Sequence, residues 1–438
     1  MEALTRASRI RQVAASNPMD RVAILRFLLA LVYWCGGSPP NEKSTTSGGP
    51  FPAGWFSKLA DNEALFNLLG TGKRFYQDST ARRARTATDL IQEIPSGNNF
   101  WHLRHSTDGA DGLCPACCAV GLLRLPLFSV SGLPDLKAGI NGAPPVYVIR
   151  QGISLLETLR ANWIPHKNLG VPAWLKPDVR PGPDKDVPLL TGLTLLSRRV
   201  WLHDPGPSGT CIACGAADAA LIRSCESESA GEQRNELWND PHVVYTSATP
   251  RRTCRATDLT AARKFRMDRP WAYLLADIIG SGKFAMGNRP TTFLVVGFAT
   301  DKAKNIDVWE RVIDLPSAQS IPATAADTLR QWNSESRRLE DRVARSEEEG
   351  AAAIAAIRPS VEDGVSSEVS SLLSSPDAPW EQAACEYGPM MRVVARSLSP
   401  GYTSAAVMRR RQIAGAIPDM RPRAEPAKKP SRTKGGRK

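Results

Sequence analysis

Two short cysteine pairs constrain this chain more than any other feature. Cys114 and Cys117 enclose two residues, and Cys211 and Cys214 repeat that spacing far downstream. A tight turn with this spacing presents two thiolates to one ion, and zinc takes four such ligands in a tetrahedron. We therefore expect one structural zinc site that joins two distant segments and has no open position for water. Cys118 is an alternative to Cys117, because the spacing does not separate them.

The remaining cysteines and the N-terminus bear on the compartment. The nine cysteines are not spaced as a disulfide framework, and Met1–Met19 carries arginines without a cleavage site. The most apolar stretch, Val22–Trp34, is shorter than the roughly 20 residues that cross a bilayer, and Arg26 interrupts it. We expect a buried helix, no membrane segment and a reducing cytoplasm.

The apolar periodicity predicts an α+β fold. Residues 1–35 predict two helices joined near Asn17-Pro18, with Asp20 as a cap before the second helix. Further predicted elements are helices over Trp55–Leu69 and Ser154–Ala161, and strands over Val146–Ile149, Leu193–Val200, Val243–Ser247 and Thr292–Val296. These strands do not alternate regularly with helices. We expect a large mixed α/β domain over residues 1–315, containing the zinc site.

The composition changes after Pro316. Ala323–Ile357 is rich in Ala, Glu and Arg with helical spacing. We expect a smaller helical-bundle domain over residues 316–415 and a basic disordered tail over 416–438. From Arg421 the tail holds eight Lys and Arg against Glu425. Such a segment cannot build a core, and either phosphate contact or solubility explains it.

The charge balance favours a polyanionic partner. Lys and Arg number 56 against 44 Asp and Glu, a formal charge of +12. Three loops combine basic residues with aromatic, glycine or small polar residues: Trp101–Gly112, Ser131–Pro145 and Pro250–Arg255. Glycine lets a backbone approach a groove closely, and Arg contacts phosphates or base edges. The alternative for each loop is an ordinary solvated surface.

No pattern in the sequence indicates catalysis. A zinc deaminase needs a His-x-Glu element before its Cys pair, but His102 is followed by Leu103 and Arg104. Gly70–Lys73 and Gly280–Lys283 lack the first glycine and the final Ser or Thr of a phosphate loop. We predict that the protein is not an enzyme.

A series of motifs, taken in order, resembles the large subunit of type I-E CRISPR Cascade, the CasA family. The motifs that carry the resemblance are Phe75-Tyr76-Gln77, Leu113-Cys114, Leu136–Gly142, Pro172–Pro177, His203-Asp204-Pro205, Leu237-Trp238 and Pro241-His242. The family's opening strand has no counterpart before Met1, so we expect a truncated start. The helical C-terminal part is shorter than a full four-helix bundle.

The resemblance implies a non-catalytic subunit of an RNA-guided DNA surveillance complex in a prokaryotic cytoplasm. Such a subunit recognises a protospacer-adjacent motif (PAM) in double-stranded DNA, helps R-loop formation, and recruits a helicase-nuclease in antiviral defence. Its partners would be crRNA, the other Cascade subunits, target DNA and the trans-acting helicase-nuclease. Guide pairing would supply most of the sequence specificity. The alternative is a stand-alone zinc-containing regulator that binds nucleic acid without a guide.

The resemblance also implies roles for particular residues. The loop that anchors the subunit near the crRNA 5′ end corresponds to Trp101, His102, Arg104 and His105. The glycine loop that approaches the minor groove falls at Ser131–Asp135, with Gly132 in it and Lys137 just after it. The basic finger falls at Arg251 or Arg252. The wedge that splits the first base pair falls in the turn after Gly297-Phe298, at Asp301, Lys302 and Ala303.

Overall fold

The structure is a computed structural model of the 438-residue chain. It describes residues 2–41, 49–94, 112–130, 137–142, 144–181, 185–231, 235, 237–246, 252–253, 275, 278–279, 290–301, 304–317, 321, 324–332, 369, 371–373 and 380.

The chain divides into two compact units. One contains Met1–Ala262 and Ser281–Ala318, and the other contains Arg263–Gly280 and Gln319–Lys438. In the second unit, residues 325–332 are helical, and Leu329 and Trp332 are buried. The rest of the helix expected over 323–357 lies outside the described residues. The domains expected over 1–315, 316–415 and 416–438 therefore remain predictions.

The first unit contains both helices and strands, as expected of an α+β fold. Its α-helices are α1 (Glu2–Thr5), α2 (Pro18–Gly36), α3 (Ser57–Ala60), α4 (Pro115–Phe128), α5 (Leu155–Asn162) and α6 (Leu189–Thr194). Short 3-10 turns occupy Ala7–Arg9, Ala53–Phe56, Glu63–Phe66 and Ala87–Leu90. The strands are β1 (Ala84–Thr86), β2 (Tyr147–Gln151), β3 (Arg198–Leu202), β4 (Ser208–Gly209), β5 (Ala219–Ala220), β6 (Ser224–Ser229), β7 (Tyr245–Thr246), β8 (Arg252–Thr253), β9 (Thr291–Asp301) and β10 (Lys304–Leu315).

Helix α2 confirms the buried helix predicted over the apolar stretch. Its cap differs from the prediction: the Asn17 side chain accepts a hydrogen bond from the Met19 amide at 2.8 Å, and Pro18 opens the helix. Asp20 instead forms an ion pair with buried Arg124 at 3.1 Å. Among the described residues, no helix has the length and apolarity needed to cross a membrane.

Six of these strands form two antiparallel three-stranded sheets, in the orders β1-β6-β3 and β10-β9-β2, and the other four form the antiparallel pairs β4-β5 and β7-β8. Strand β9 is longer than predicted. Phe298 and Ala299 are buried and continue the pairing with β10, and the strand ends only at Asp301, whose Cα pairs with that of Lys304. The wedge region predicted after Gly297-Phe298 is therefore preceded by further strand.

The strand predicted over Leu193–Val200 is wrong in its first half. Helix α6 occupies Leu189–Thr194, and the strand starts only at Arg198. The Thr194 hydroxyl donates to the Leu190 carbonyl at 2.7 Å, which suits a helix turn. A short apolar run fits a buried helix and a buried strand equally well, and packing decided between them here.

Several family-like motifs belong to the core. Trp174, from the Pro172–Pro177 motif, is 4% exposed. Its ring contacts the rings of Phe27, Trp34, Phe66 and Tyr76. Gln77 bridges distant segments: its amide donates to the Leu68 carbonyl at 2.6 Å and its oxygen accepts from the Leu202 amide at 2.8 Å.

Candidate metal centre

The first cysteine pair lies at the start of helix α4. Cys114 is the N-cap residue with extended backbone, and Pro115 opens the helix. The Cys118 amide donates to the Cys114 carbonyl at 3.0 Å, which closes the first turn. This turn brings Cys117 back toward Cys114.

The second pair lies in the loop that connects β4 and β5. The Gly215 amide donates to the Cys211 carbonyl at 2.8 Å, and the Cys211 amide donates to the Ala216 carbonyl at 2.9 Å. Gly215 has φ of +74°, a conformation that glycine adopts without a steric penalty. The reversal places Cys214 next to Cys211.

Backbone hydrogen bonds hold the two turns together. Leu113 and Ile222 exchange two bonds, at 3.0 and 2.9 Å, and the Ile212 amide donates to the Gly112 carbonyl at 3.2 Å. The Cys114 amide also donates to the Cys211 sulfur at 3.3 Å. The geometry of the cluster is therefore set by the polypeptide itself.

The four sulfurs fit one tetrahedral ion. Cys114, Cys117, Cys211 and Cys214 place their Sγ atoms within 4.8 Å of one another, and those of Cys114 and Cys214 are 3.8 Å apart. Zinc–sulfur bonds of about 2.3 Å in a tetrahedron separate the sulfurs by about 3.8 Å. The fully buried Cys118 lies outside this cluster, so the structure pairs Cys117 with Cys114.

The thiols of the cluster differ in acidity. Burial raises the pKa of Cys114, with hydrogen bonds from Cys117 opposing it in part. Burial also raises the pKa of Cys117, and the neighbouring sulfurs add to that effect. Burial also disfavours the Cys211 thiolate, but hydrogen bonds from the amides of Cys114, Cys214 and Ala213 outweigh it and lower the pKa of Cys211 to about 7. Cys211 is thus prepared as a thiolate ligand at neutral pH.

The predicted nucleic-acid contacts are described only in part. Lys137 is exposed, and Asp301 ends β9. Arg252 begins β8, where its Cα pairs with that of Thr246. The other predicted contacts lie outside the described residues: Trp101, His102, Arg104, His105, Gly132, Arg251, Lys302 and Ala303.

A buried polar network links the regions that flank these contacts. Arg26 on α2 binds both carboxylate oxygens of Asp240, at 2.7 and 2.9 Å, and lies 2.8 Å from His242 Nδ1. The Asp240 carboxylate also accepts a hydrogen bond from the Asn141 side-chain amide at 2.9 Å. The Asp240 backbone amide donates to the Tyr245 hydroxyl at 2.9 Å, and Tyr245 lies on β7, the strand that pairs with β8.

Sequence reasoning missed this network, although one signal for it was present. Arg26 interrupts the most apolar stretch of the chain, and a buried cation requires a carboxylate or several acceptors nearby. Asp240 stands next to the Pro241-His242 motif, but nothing in a single sequence pairs it with Arg26.

Comparison with known proteins agrees with the motif series. The profile of the CRISPR-associated protein Cse1 family matches residues 1–378. No curated protein matches the sequence.

Solved structures share the fold. CasA from Thermus thermophilus has a TM-score of 0.66 at 18% identity, covering 95% of this chain and 94% of that chain. Cse1 from Acidimicrobium ferrooxidans has a TM-score of 0.63 at 18% identity, covering 96% and 94%. A chain of a CRISPR RNA-guided surveillance complex has a TM-score of 0.63 at 16% identity, covering 95% and 92%. The family match over most of the chain establishes that this protein belongs to the CRISPR-associated Cse1 family.

Proposed function

We propose that this protein is the large subunit of a type I-E Cascade complex, which binds crRNA and companion subunits and recognises the PAM in double-stranded DNA. It would then help open the duplex for R-loop formation and recruit the helicase-nuclease. The observation that carries this proposal is the Cse1 family match over residues 1–378. A fold shared over 95% of the chain with a member of an RNA-guided surveillance complex supports it.

The arrangement of the described residues supports a role in duplex recognition. Asn141, in the segment that follows the predicted glycine loop, binds Asp240. The Asp240 amide in turn donates to Tyr245, on the strand that pairs with Arg252 of the predicted finger. Asp240 thus connects the supports of both predicted DNA-reading segments, one through its carboxylate and the other through its backbone amide.

We also propose that the metal is zinc and that its role is structural. Four thiolates fill a tetrahedral ion and leave no position for substrate or activated water. The cluster adjoins Gly112, the last residue of the predicted RNA-anchoring loop, through the bond from Ile212. A bound ion would hold the end of that loop against the β4–β5 turn.

Within this proposal the protein has no catalytic role of its own. Two residues of the motif series, Trp174 and Gln77, pack in the core or hold backbone. Cleavage would belong to the recruited helicase-nuclease. Magnesium-dependent cleavage of DNA by the isolated chain would contradict this part of the proposal.

The test is assembly followed by DNA binding. We expect the full chain to co-purify with crRNA and the companion subunits. The assembled complex should bind a target duplex more tightly when one defined short motif flanks the target, as measured with a library of randomised flanks. Arg251→Ala combined with Arg252→Ala should weaken that binding, with Arg9→Ala combined with Arg11→Ala as a charge-matched control.

Two outcomes would contradict the proposal. Equal binding to targets with all flanking sequences would contradict PAM recognition. Tight, sequence-specific duplex binding by the chain alone, without RNA, would instead favour the stand-alone zinc-containing regulator.

A further inference from the structure

The edge of the β1-β6-β3 sheet is rich in arginine. Arg82, Arg83 and Arg85 fall within four residues at β1. The Ser227 amide donates to the Arg83 carbonyl at 2.7 Å, so the strand pairing includes Arg83. Side chains two residues apart on a strand share a face, which places Arg83 and Arg85 side by side. Arg83 is exposed and Arg85 is half-buried.

Arg198 adds a third cation from the other outer strand of the same sheet. It opens β3, opposite Ser229 of β6, and only 8% of it is exposed. Its Nη2 donates to the Val130 carbonyl at 3.3 Å, whereas its buried Nη1 has no hydrogen-bond partner among the described residues. A buried donor without a partner is uncommon and calls for an explanation.

The charges at this place do not balance. Asp89 interacts electrostatically with both Arg85 and Arg198, so two guanidinium groups share this carboxylate. Burial, reinforced by Arg85, lowers the pKa of Arg198 to about 10, which leaves the group charged at neutral pH. The region therefore carries a net positive charge.

This positive region adjoins both ends of the predicted DNA-reading loop. Val130, which Arg198 binds, is the last described residue before positions 131–136. On the other side of those positions, exposed Lys137 precedes Gly139. A Cβ added to Gly139 would lie 3.8 Å from the Ser197 side chain, next to Arg198. Arg198 is thus close to the described residues on both sides of positions 131–136.

We propose that Arg83, Arg85 and Arg198 form a cationic track that binds the sugar-phosphate backbone of duplex DNA beside the reading loop. The inference rests on the proposed function, since that function brings duplex DNA to this loop. Arg83 and Arg85 make the phosphate contacts. Arg198 is buried and does not contact the DNA itself. Its positive charge adds to the electrostatic attraction for phosphate, and its hydrogen bond to Val130 holds the residue before the predicted loop close to Arg198. Such contacts add affinity without reading sequence.

The experiment compares charge-matched variants in the assembled complex with crRNA. Arg83→Gln combined with Arg85→Gln is compared with Arg9→Gln combined with Arg11→Gln, which removes the same charge from two other exposed arginines. Binding to a fluorescent mixed-sequence target duplex is followed over a salt series. Each lost phosphate contact lowers the slope of log K against log salt by about 0.9. We expect the first pair to lower the slope by about 2 and affinity about tenfold, and the control pair to change neither.

A second variant separates loss of contact from loss of folding. Asp89→Asn removes the carboxylate that Arg85 and Arg198 share and so makes the track more positive. We therefore expect duplex affinity to rise a few-fold, a result that misfolding does not produce. If the wild-type complex fails to bind the duplex, the proposed function fails and the track fails with it. If the wild type binds but the Arg83, Arg85 and Asp89 variants all behave like the control, only the track is overturned.

Discussion

Arg26 and Asp240 form a bidentate ion pair in the core, although 214 residues separate them in the chain. Their side chains are 2% and 0% exposed. The same carboxylate binds Asn141 and the His242 amide. Helix α2, the segment after the predicted glycine loop and the segment before the predicted finger therefore meet at one buried charge.

Removing Asp240 should destabilise the fold strongly. Asp240→Ala would leave the buried Arg26 cation without its counter-charge, and breaking a buried pair in this way costs about 3–5 kcal/mol. Urea unfolding should show this loss in the free energy of unfolding. Asp327→Ala is the control, because Asp327 pairs with Arg330 at an exposed site whose loss costs less than about 1 kcal/mol. Equal effects of the two substitutions would contradict the importance of the buried pair.

Gly139→Ala should disturb duplex binding. A Cβ at Gly139 would lie 2.7 Å from the Pro126 carbonyl oxygen, and this backbone atom of helix α4 cannot move aside cheaply. The segment with Lys137 and Asn141 must shift to relieve the clash. We expect weaker binding of the assembled complex to PAM-containing duplex, with secondary structure by circular dichroism largely retained.

The control for that substitution is Gly54→Ala. Nothing lies within 4 Å of a Cβ at Gly54. This variant should bind and unfold like the wild type. If Gly139→Ala also binds like the wild type, the segment does not depend on close packing against α4.

Replacing one cluster cysteine should release the metal. With Cys211→Ser the site keeps three thiolates and loses the one that neutral pH favours as a ligand. We expect elemental analysis to find about one zinc per wild-type chain and much less in the variant, together with a lower melting temperature.

Cys35→Ser provides the matched control for the metal measurement. Cys35 lies on α2, is partly buried, and does not belong to the four-sulfur cluster. It should retain the wild-type metal content. Full metal retention in Cys211→Ser would contradict the four-thiolate site.

The sequence predicted features that depend on local chemistry. The CxxC spacing, the apolar stretch of α2 and the helix predicted over Ser154–Ala161 need few distant partners, and each corresponds to a feature of the structure. Prediction failed where alternatives of similar local stability exist. The Leu193–Leu196 run suits a helix or a strand, but its first two residues belong to helix α6, in which Gly192 packs closely against the Trp238 ring.

Ion pairs and hydrogen bonds between distant segments could not be predicted from the sequence, for another reason. The pairing of Arg26 with Asp240, or of Arg198 with Val130, depends on the relative placement of distant segments. A single sequence shows only that Arg26 needs a partner. The structure also specifies which segments the cysteine cluster supports. The cluster adjoins the predicted RNA-anchoring loop directly at Gly112, whereas Asp240 holds the predicted DNA-reading segments.

Cys225 should make stability fall at alkaline pH. Burial, aided by Asp89 and Glu226, raises the pKa of Cys225 from 9.0 to about 12 in the folded protein. Above pH 9 the unfolded chain releases this proton while the folded chain keeps it, so unfolding gains up to about 1.4 kcal/mol per pH unit. The contribution is fully present below pH 9 and is lost as the pH rises toward 12. We expect urea unfolding between about pH 8 and pH 10 to show a steeper loss of stability in the wild type than in Cys225→Ala. Parallel pH profiles would show that the buried thiol ionises as readily in the folded chain as in the unfolded one.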